Sequence, residues 1–259
     1  MTFFRQIIFS KNRRILMQKV AVFVEGQGEL IFVRNLLYHL IESAKFSFEC
    51  FKLHANSQQE VPYEYKNPHA EIHFQIINVG NDERVLDAIK ERKERLLSKG
   101  ITKIIGLRDM YSKAYRIKSK NIIDDEVTQQ FIEAVTTAIA DMDNSDKISF
   151  HFAIMELEAW WLSMYNLFAK INELLTVRFI EENLGNNLSK IDPEKAFFHP
   201  AQEFDKILKL VGTSYKKHFD DVESITSKMD YSDISDALNN NRCDCFRKFC
   251  DEIHSFTTH

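Results

Sequence analysis

Four acidic residues stand where apolar runs end, which is an expensive place for a carboxylate. Glu25 closes "VAVFVE", Asp109 follows "ITKIIGLR", and Glu156 and Glu158 follow "ISFHFAIM". An acid at the end of a buried strand must reach solvent, pair with a base or hold a cation. If the runs are parallel strands of an open sheet, their carboxyl ends form the edge at which ligands bind. Acids delivered there from separate strands repel one another unless a cation sits among them or one takes a proton. A hard divalent ion, Mg²⁺ or Mn²⁺, suits such a set, because it needs only one or two carboxylates beside waters and phosphate oxygens.

Each acid also has an ordinary explanation. Glu25 could accept the first amides of the following helix, Asp109 could pair with Arg108, and Glu156 and Glu158 could be acids of a helical first turn. Taken together the acids favour the metal. Directly after Asp109, "MYSKAYRIKSK" sets Lys113, Arg116, Lys118 and Lys120 around Tyr111 and Tyr115. Basic side chains grip phosphates and aromatic rings stack on bases, so the stretch reads as a nucleic-acid contact or as a solvated charged loop. Arg108 or Lys113 could stabilise the charge that develops at a phosphorus atom under attack. Gly26-Gln27-Gly28 lacks the third glycine of a dinucleotide fingerprint, and no acid ends "FQIINVGN" in a ribose-binding place. Gly28 is read instead as letting the helix start close to the sheet.

The elements that must position these acids follow from apolar periodicity. "VAVFVE", "EIHFQIINV", "ITKIIGL" and "ISFHFAIM" read as strands, and residues 45 to 70 as mixed and polar. Between the strands lie amphipathic stretches: "ELIFVRNLLYHLIESA", "DERVLDAIKERKERLLSKG", capped by Asp82 and closed by Gly100, and "DDEVTQQFIEAVTTAIADM". Strand and helix alternate, which predicts an α/β fold with a parallel sheet flanked by helices. Beyond about residue 170 only short helices such as "PAQEFDKILKLV" and "CFRKFCDEIHSF" are expected.

The chain has 259 residues, 44% of them apolar and 28% charged, with only 7 Gly and 4 Pro, which favours long regular elements. A net charge of -4 rules out a uniformly cationic nucleic-acid binder, so any polyanion site must be local. The cysteines Cys50, Cys243, Cys245 and Cys250 are too few for a disulfide framework, and "CDCFRKFC" lacks a nearby fourth zinc ligand. No apolar stretch is long enough to span a bilayer, and the start "MTFFRQIIFSKNRRILMQK" is a poor secretory signal, so a cytoplasmic protein is expected.

"FVEGQGELIFVRNLL", "GLRDMYS" and "MELEAWWLS", in that order and spacing, resemble the bacterial family labelled domain of unknown function 4276, a Toprim-like group. "HPAQEFDKIL" and "MDYSDISDALNNNRCDCFRKF" are similar to its C-terminal region. The resemblance implies a Toprim/Rossmann-like sheet whose acids bind Mg²⁺, as in topoisomerases, bacterial primases and nucleases of the overcoming-lysogenization-defect type. It divides the chain into an extension over residues 1–17, a catalytic domain over 18–168 and a helical region over 169–259. Glu25 matches the invariant glutamate after the first strand and Asp109 the first acid of an aspartate-x-aspartate pair. Tyr111 stands in place of the second acid, so a two-metal mechanism needs Glu156 or Glu158 as a substitute. A partner ATPase and a role in phage defence are implied by the likeness alone. The expectation is a metal-dependent nuclease acting on DNA or RNA; the alternative is an inert Toprim scaffold that serves as a binding or regulatory subunit of an ATPase complex.

Overall fold

The structure is a computed structural model that describes residues 17–54, 57–80, 84–239 and 242–257. Its strands are β1 (Gln18–Val24), β2 (Phe46–His54), β3 (Ser57–Tyr65), β4 (Ile72–Asn78), β5 (Lys103–Asp109) and β6 (Ile148–Ala153). The helices among them are α1 (Gln27–Leu40), α2 (Val85–Ser98), α3 (Lys113–Ser119) and α4 (Asp125–Ala140). After β6 the chain is helical: α5 (Glu158–Ser163), α6 (Leu167–Ile171), α7 (Val177–Leu184), α8 (Pro193–Ala196), α9 (Pro200–Lys209), α10 (Phe219–Thr226), α11 (Tyr231–Asn239) and α12 (Asp244–Ser255).

The fold is α/β. One six-stranded sheet in the order β3-β2-β4-β1-β5-β6 is parallel throughout except for the antiparallel β2–β3 pair. Four strands were expected and the sheet has six, because residues 45 to 70 supply β2 and β3. β3, "SQQEVPYEY", is largely exposed at the sheet edge and carries Pro62, which removes a donor there. The apolar face of β3 is limited to Val61, Tyr63 and Tyr65, which are only partly buried against the core. The proposed cap Asp82 and residues 1–16 lie outside the described residues.

β1 is buried on both faces, as a central parallel strand must be. Val20, Val22 and Val24 enter a core with Leu30, Val33, Leu36 and Leu37 of α1, Trp160 and Trp161 of α5, and Phe246 and Phe249 of α12. Ala21 and Phe23 enter the opposite core with Ala88 and Ile89 of α2 and Ile139 of α4. The helices after residue 169 therefore share one apolar core with the sheet and α1. Arg34 of α1 also pairs with Glu223 of α10 at 2.6 Å. Among the described residues no helix is long and apolar enough to cross a membrane.

Gly106 of β5 leaves no room for a side chain. A Cβ there would lie 2.4 Å from Phe150 Cδ2 and 3.0 Å from Ile89 Cδ1. Gly106→Ala is expected to cost ~1–3 kcal/mol through overpacking, read as a lowered urea midpoint with an unchanged slope. Gly28 has no such role: a Cβ there would meet Val222 of α10 at an ordinary 3.9 Å. It faces the C-terminal helices and does not set the distance from α1 to the sheet.

Candidate functional site

The carboxyl ends of β1, β5 and β6 lie side by side because the three strands are neighbours in parallel. Glu25 follows β1 directly, and its Oε2 accepts the backbone N–H of Asp109 at 3.0 Å. Asp109 ends β5, and its Oδ1 accepts the N–H of Leu157 at 3.0 Å. The acids thus staple the strand ends to the turn into α5. At the start of α1 the N-cap is Gly26, and Glu29 Oε2 accepts its N–H at 2.9 Å. This turn of α1 brings Glu29 into the same group of charges.

Glu156 and Glu158 are delivered by the turn after β6, where Met155 adopts a left-handed backbone with φ 62°. That conformation is costly for a residue with a side chain and persists where its surroundings fix it. Glu156 Oε2 accepts the N–H of Ala201 in α9 at 3.0 Å, and its Oε1 lies 2.8 Å from Lys217 Nζ. Glu158 Oε1 accepts the Tyr215 hydroxyl at 2.7 Å. Its Oε2 is 3.2 Å from Lys217 Nζ but has no aligned hydrogen bond, although Glu158 is only 3% exposed.

Four carboxyls, Glu29, Asp109, Glu156 and Glu158, thus feel one ammonium, and Glu25 acts on Asp109 beside them. Burial raises the Asp109 carboxyl well above the usual carboxylate range, and the charges of Glu29, Glu25 and Glu158 push it further, against the pull of Lys217. Glu29 and Glu158 are raised as well, chiefly by burial. Burial alone would depress the Lys217 ammonium, but Glu158, Asp109 and Glu156 hold it above the ordinary lysine value. The cluster stores mutual repulsion that a further cation would relieve.

Arg108 is on the other side of the strand from Asp109. It packs over the Phe152 ring at 5.6 Å and its Nε donates to the Asp109 carbonyl at 3.2 Å, so the suggested Arg108–Asp109 ion pair is replaced by a backbone contact. The basic stretch is not a loop: Lys113, Arg116 and Lys118 lie on α3, Lys120 is its left-handed C-cap, and all four are exposed. Tyr115 is fully buried, bonded to Thr128 and Asp124, so it cannot stack on bases. Tyr111 packs against Phe198 at 5.6 Å and His199 at 5.1 Å.

Three participants escaped the reading of the sequence. Glu29 was legible in principle, since a residue four positions after Glu25 at a helix start can return to the same point. Tyr215 and Lys217 carried no local signal: they are 57 and 61 residues from the glutamates they touch.

Among the described residues, the ligand atoms that lie within 4.8 Å of one another belong to Asp192, Glu194 and Cys243, not to the strand-end acids. The partners of this second group are structural. Glu194 accepts Trp160 Nε1 at 3.0 Å and the N–H of Cys245 at 3.2 Å, while Asp192 accepts the N–H groups of Glu194 and Cys243. Those bonds pin α8 to α5 and α12. Burial raises Glu194 to about 7 and lifts the Cys243 thiol well above its usual value, which keeps it protonated and a poor ligand. All four cysteines are free.

The family described as Domain of unknown function (DUF4276) matches residues 24–254. The chain belongs to this family. No curated protein and no solved structure matches it. The DUF4276 region starts one residue before Glu25 and includes Tyr215 and Lys217, so both sides of the acidic site lie inside it.

Proposed function

We propose that this DUF4276 protein is a metal-dependent nuclease of Toprim type that cleaves phosphodiester bonds of DNA or RNA. The observation that carries the reading is the convergence of five carboxyls on the carboxyl edge of the parallel sheet, beside the exposed basic helix α3. The donor chemistry suits Mg²⁺ or Mn²⁺, every group being a carboxylate oxygen, and an ion would have to draw the acids together, since no three of their ligand atoms lie within 4.8 Å of one another. Glu25, Glu29 and Asp109 would hold the ion, with Glu156 and Glu158 facing them. When bound, such an ion neutralises phosphate charge and activates water.

The chain's own residues do the rest. Backbone amides fix Glu25, Glu29 and Asp109 through one oxygen each, so these acids are oriented before a ligand arrives. Lys113 opens α3 just beyond Asp109 and, with Arg116, Lys118 and Lys120, offers the phosphate backbone a path towards the acids. Arg108, turned to the opposite face, is a poor stabiliser of the reacting phosphate.

Cleavage of single- and double-stranded DNA and RNA in the presence of Mn²⁺, and its loss with chelator, tests the proposal. Changing Lys113, Arg116, Lys118 and Lys120 together to Ala should flatten the salt dependence of nucleic-acid binding. The log-log slope should fall by ~0.7–0.9 for each phosphate that is no longer neutralised, while Mn²⁺ affinity is retained. An unchanged slope would place the nucleic acid elsewhere.

A second reading rests on Tyr111 in place of an acid and on Lys217 already seated at the cluster: an inert Toprim scaffold that binds nucleic acid or a partner ATPase and cuts nothing. Calorimetry with Mg²⁺ and Mn²⁺ separates the two, since tight divalent binding counts against inertness. Cytoplasmic phage defence beside an ATPase is proposed on the Toprim likeness alone.

A further inference from the structure

The sheet face that carries α2 changes character towards the amino ends of its strands. Phe51, Ile77 and Phe23 lie side by side on β2, β4 and β1 and enter the core under α2. Two residues back on each strand stand Glu49, Gln75 and Ala21, and two further back Ser47, His73 and Lys19. The last turns of α2 stand beside these rows and leave a cavity of about 510 Å³, floored by Glu49, His73 and Gln75. A central parallel strand covered on both faces is apolar throughout, as β1 is from Val20 to Val24. β4 is central too, yet it gives this face His73 and Gln75, so the floor is built for a polar occupant.

The polar groups are ordered among themselves. Ser47 Oγ lies 2.9 Å from His73 Nδ1, and His73 Nε2 lies 3.3 Å from Glu49 Oε1. Gln75 Nε2 donates to the same Glu49 oxygen at 2.7 Å. Glu49 Oε2 takes part in none of these bonds, and the side chain is 33% exposed, so an oriented carboxylate oxygen is open to the cavity. The wall is cationic. Lys19, Arg95 and Lys99 line it, and among the described residues none of the three forms a salt bridge, whereas Arg92 pairs with Glu91 at 2.7 Å. Glu49 is the only acid among the described residues of the lining.

Three uncompensated cations above one oriented carboxylate call for a ligand with two unlike ends. Phosphate groups satisfy the cations, and N–H donors satisfy the carboxylate. A nucleotide joins a phosphate chain to an amino-bearing base and suits a cavity of this size. Residues 1–16, which precede Met17 in the chain, carry Arg5, Lys11, Arg13 and Arg14 and no acid, so their charge does not complement this wall. We propose that the cavity binds a nucleoside triphosphate, with Lys19, Arg95 and Lys99 on the phosphates and Glu49 on the amino group of the base. The site lies on the α2 side of the sheet, apart from the acidic edge, and does not depend on the metal reading above.

Titration calorimetry of the full chain with ATP, GTP, CTP, UTP and tripolyphosphate tests it, in chelator so that no ligand is held through a divalent ion at the acidic edge. At least one of ATP, GTP and CTP should bind ~10-fold or more tightly than tripolyphosphate, because the bond to Glu49 is charge-assisted. Changing Arg95 and Lys99 together to Ala should weaken that nucleotide by ~100-fold. Glu49→Gln keeps an oxygen for Gln75 and should bring the nucleotide down to the level of tripolyphosphate. The variant with Lys113, Arg116, Lys118 and Lys120 changed to Ala should bind it as the wild type does. The proposal is overturned if no nucleotide binds, if tripolyphosphate binds as tightly as the best nucleotide, or if the Arg95 and Lys99 changes leave binding unaltered. Loss of binding in the α3 variant would place the nucleotide on α3 and overturn it as well. Arg95 and Lys99 are exposed, and thermal unfolding of each variant confirms that folded chains are being compared.

Discussion

Asp109→Asn should fold normally and lose nearly all phosphodiester cleavage. The substitution keeps an oxygen that can accept the Leu157 N–H, now at 3.0 Å from Asp109 Oδ1, so the staple between β5 and the turn into α5 survives. What disappears is one negative charge at the centre of the cluster, the group on which Glu25, Glu29 and Glu158 all act. Several kcal/mol of metal-derived charge stabilisation correspond to a loss of ~10³-fold or more in rate. Single-turnover cleavage with saturating nucleic acid, beside Mn²⁺ calorimetry on the same variant, checks both halves. An Asp109→Ala protein that cut as fast as the wild type would remove the nuclease assignment altogether.

Trp160→Ala carries the largest expected cost in stability. Trp160 is fully buried between α1 and α12, with ring centroids 5.7 Å from Phe32, 4.9 Å from Phe246 and 5.6 Å from Phe249. Its Nε1 also donates to the buried Glu194 at 3.0 Å. Truncation leaves a cavity and strips a buried acceptor of its donor, a combination worth ~3–5 kcal/mol. Against a total of ~5–15 kcal/mol for an ordinary domain, that is a large fraction. Urea unfolding should shift to much lower denaturant in one transition, because sheet and C-terminal helices share the core. A loss below ~1 kcal/mol would show that the two regions do not depend on each other in the way their packing requires.

The parts of this fold that could be read from the sequence are those in which local pattern and tertiary environment agree. β1 is apolar at every position from Val20 to Val24 because both its faces are covered, and α1 shows its buried stripe at Leu30, Val33, Leu36 and Leu37. The strand-end acids stood out against such runs. β2 and β3 did not: β2 alternates only in part, with a bulge between Phe48 and Cys50, and β3 at the edge has solvent where a central strand has core. The helix α3 was hidden by its charges, since only Tyr115 and Ser119 of its seven residues are buried. Lys217 could not be found by any local rule, because its meaning comes from carboxylates that the chain supplies much earlier.

That separation has a consequence for how the protein is made. A ribosome has emitted all five acids by residue 158, yet the ammonium that steadies two of them arrives only with residue 217. During that interval the emerging sheet carries its carboxylates at one edge without their internal counter-charge, and the apolar face of α1 still lacks α10 and α12. Any fragment ending before residue 217 thus has the negative half of the site but not the positive one. The charge balance of this edge, in this arrangement, is a property of the sheet and the C-terminal helices together.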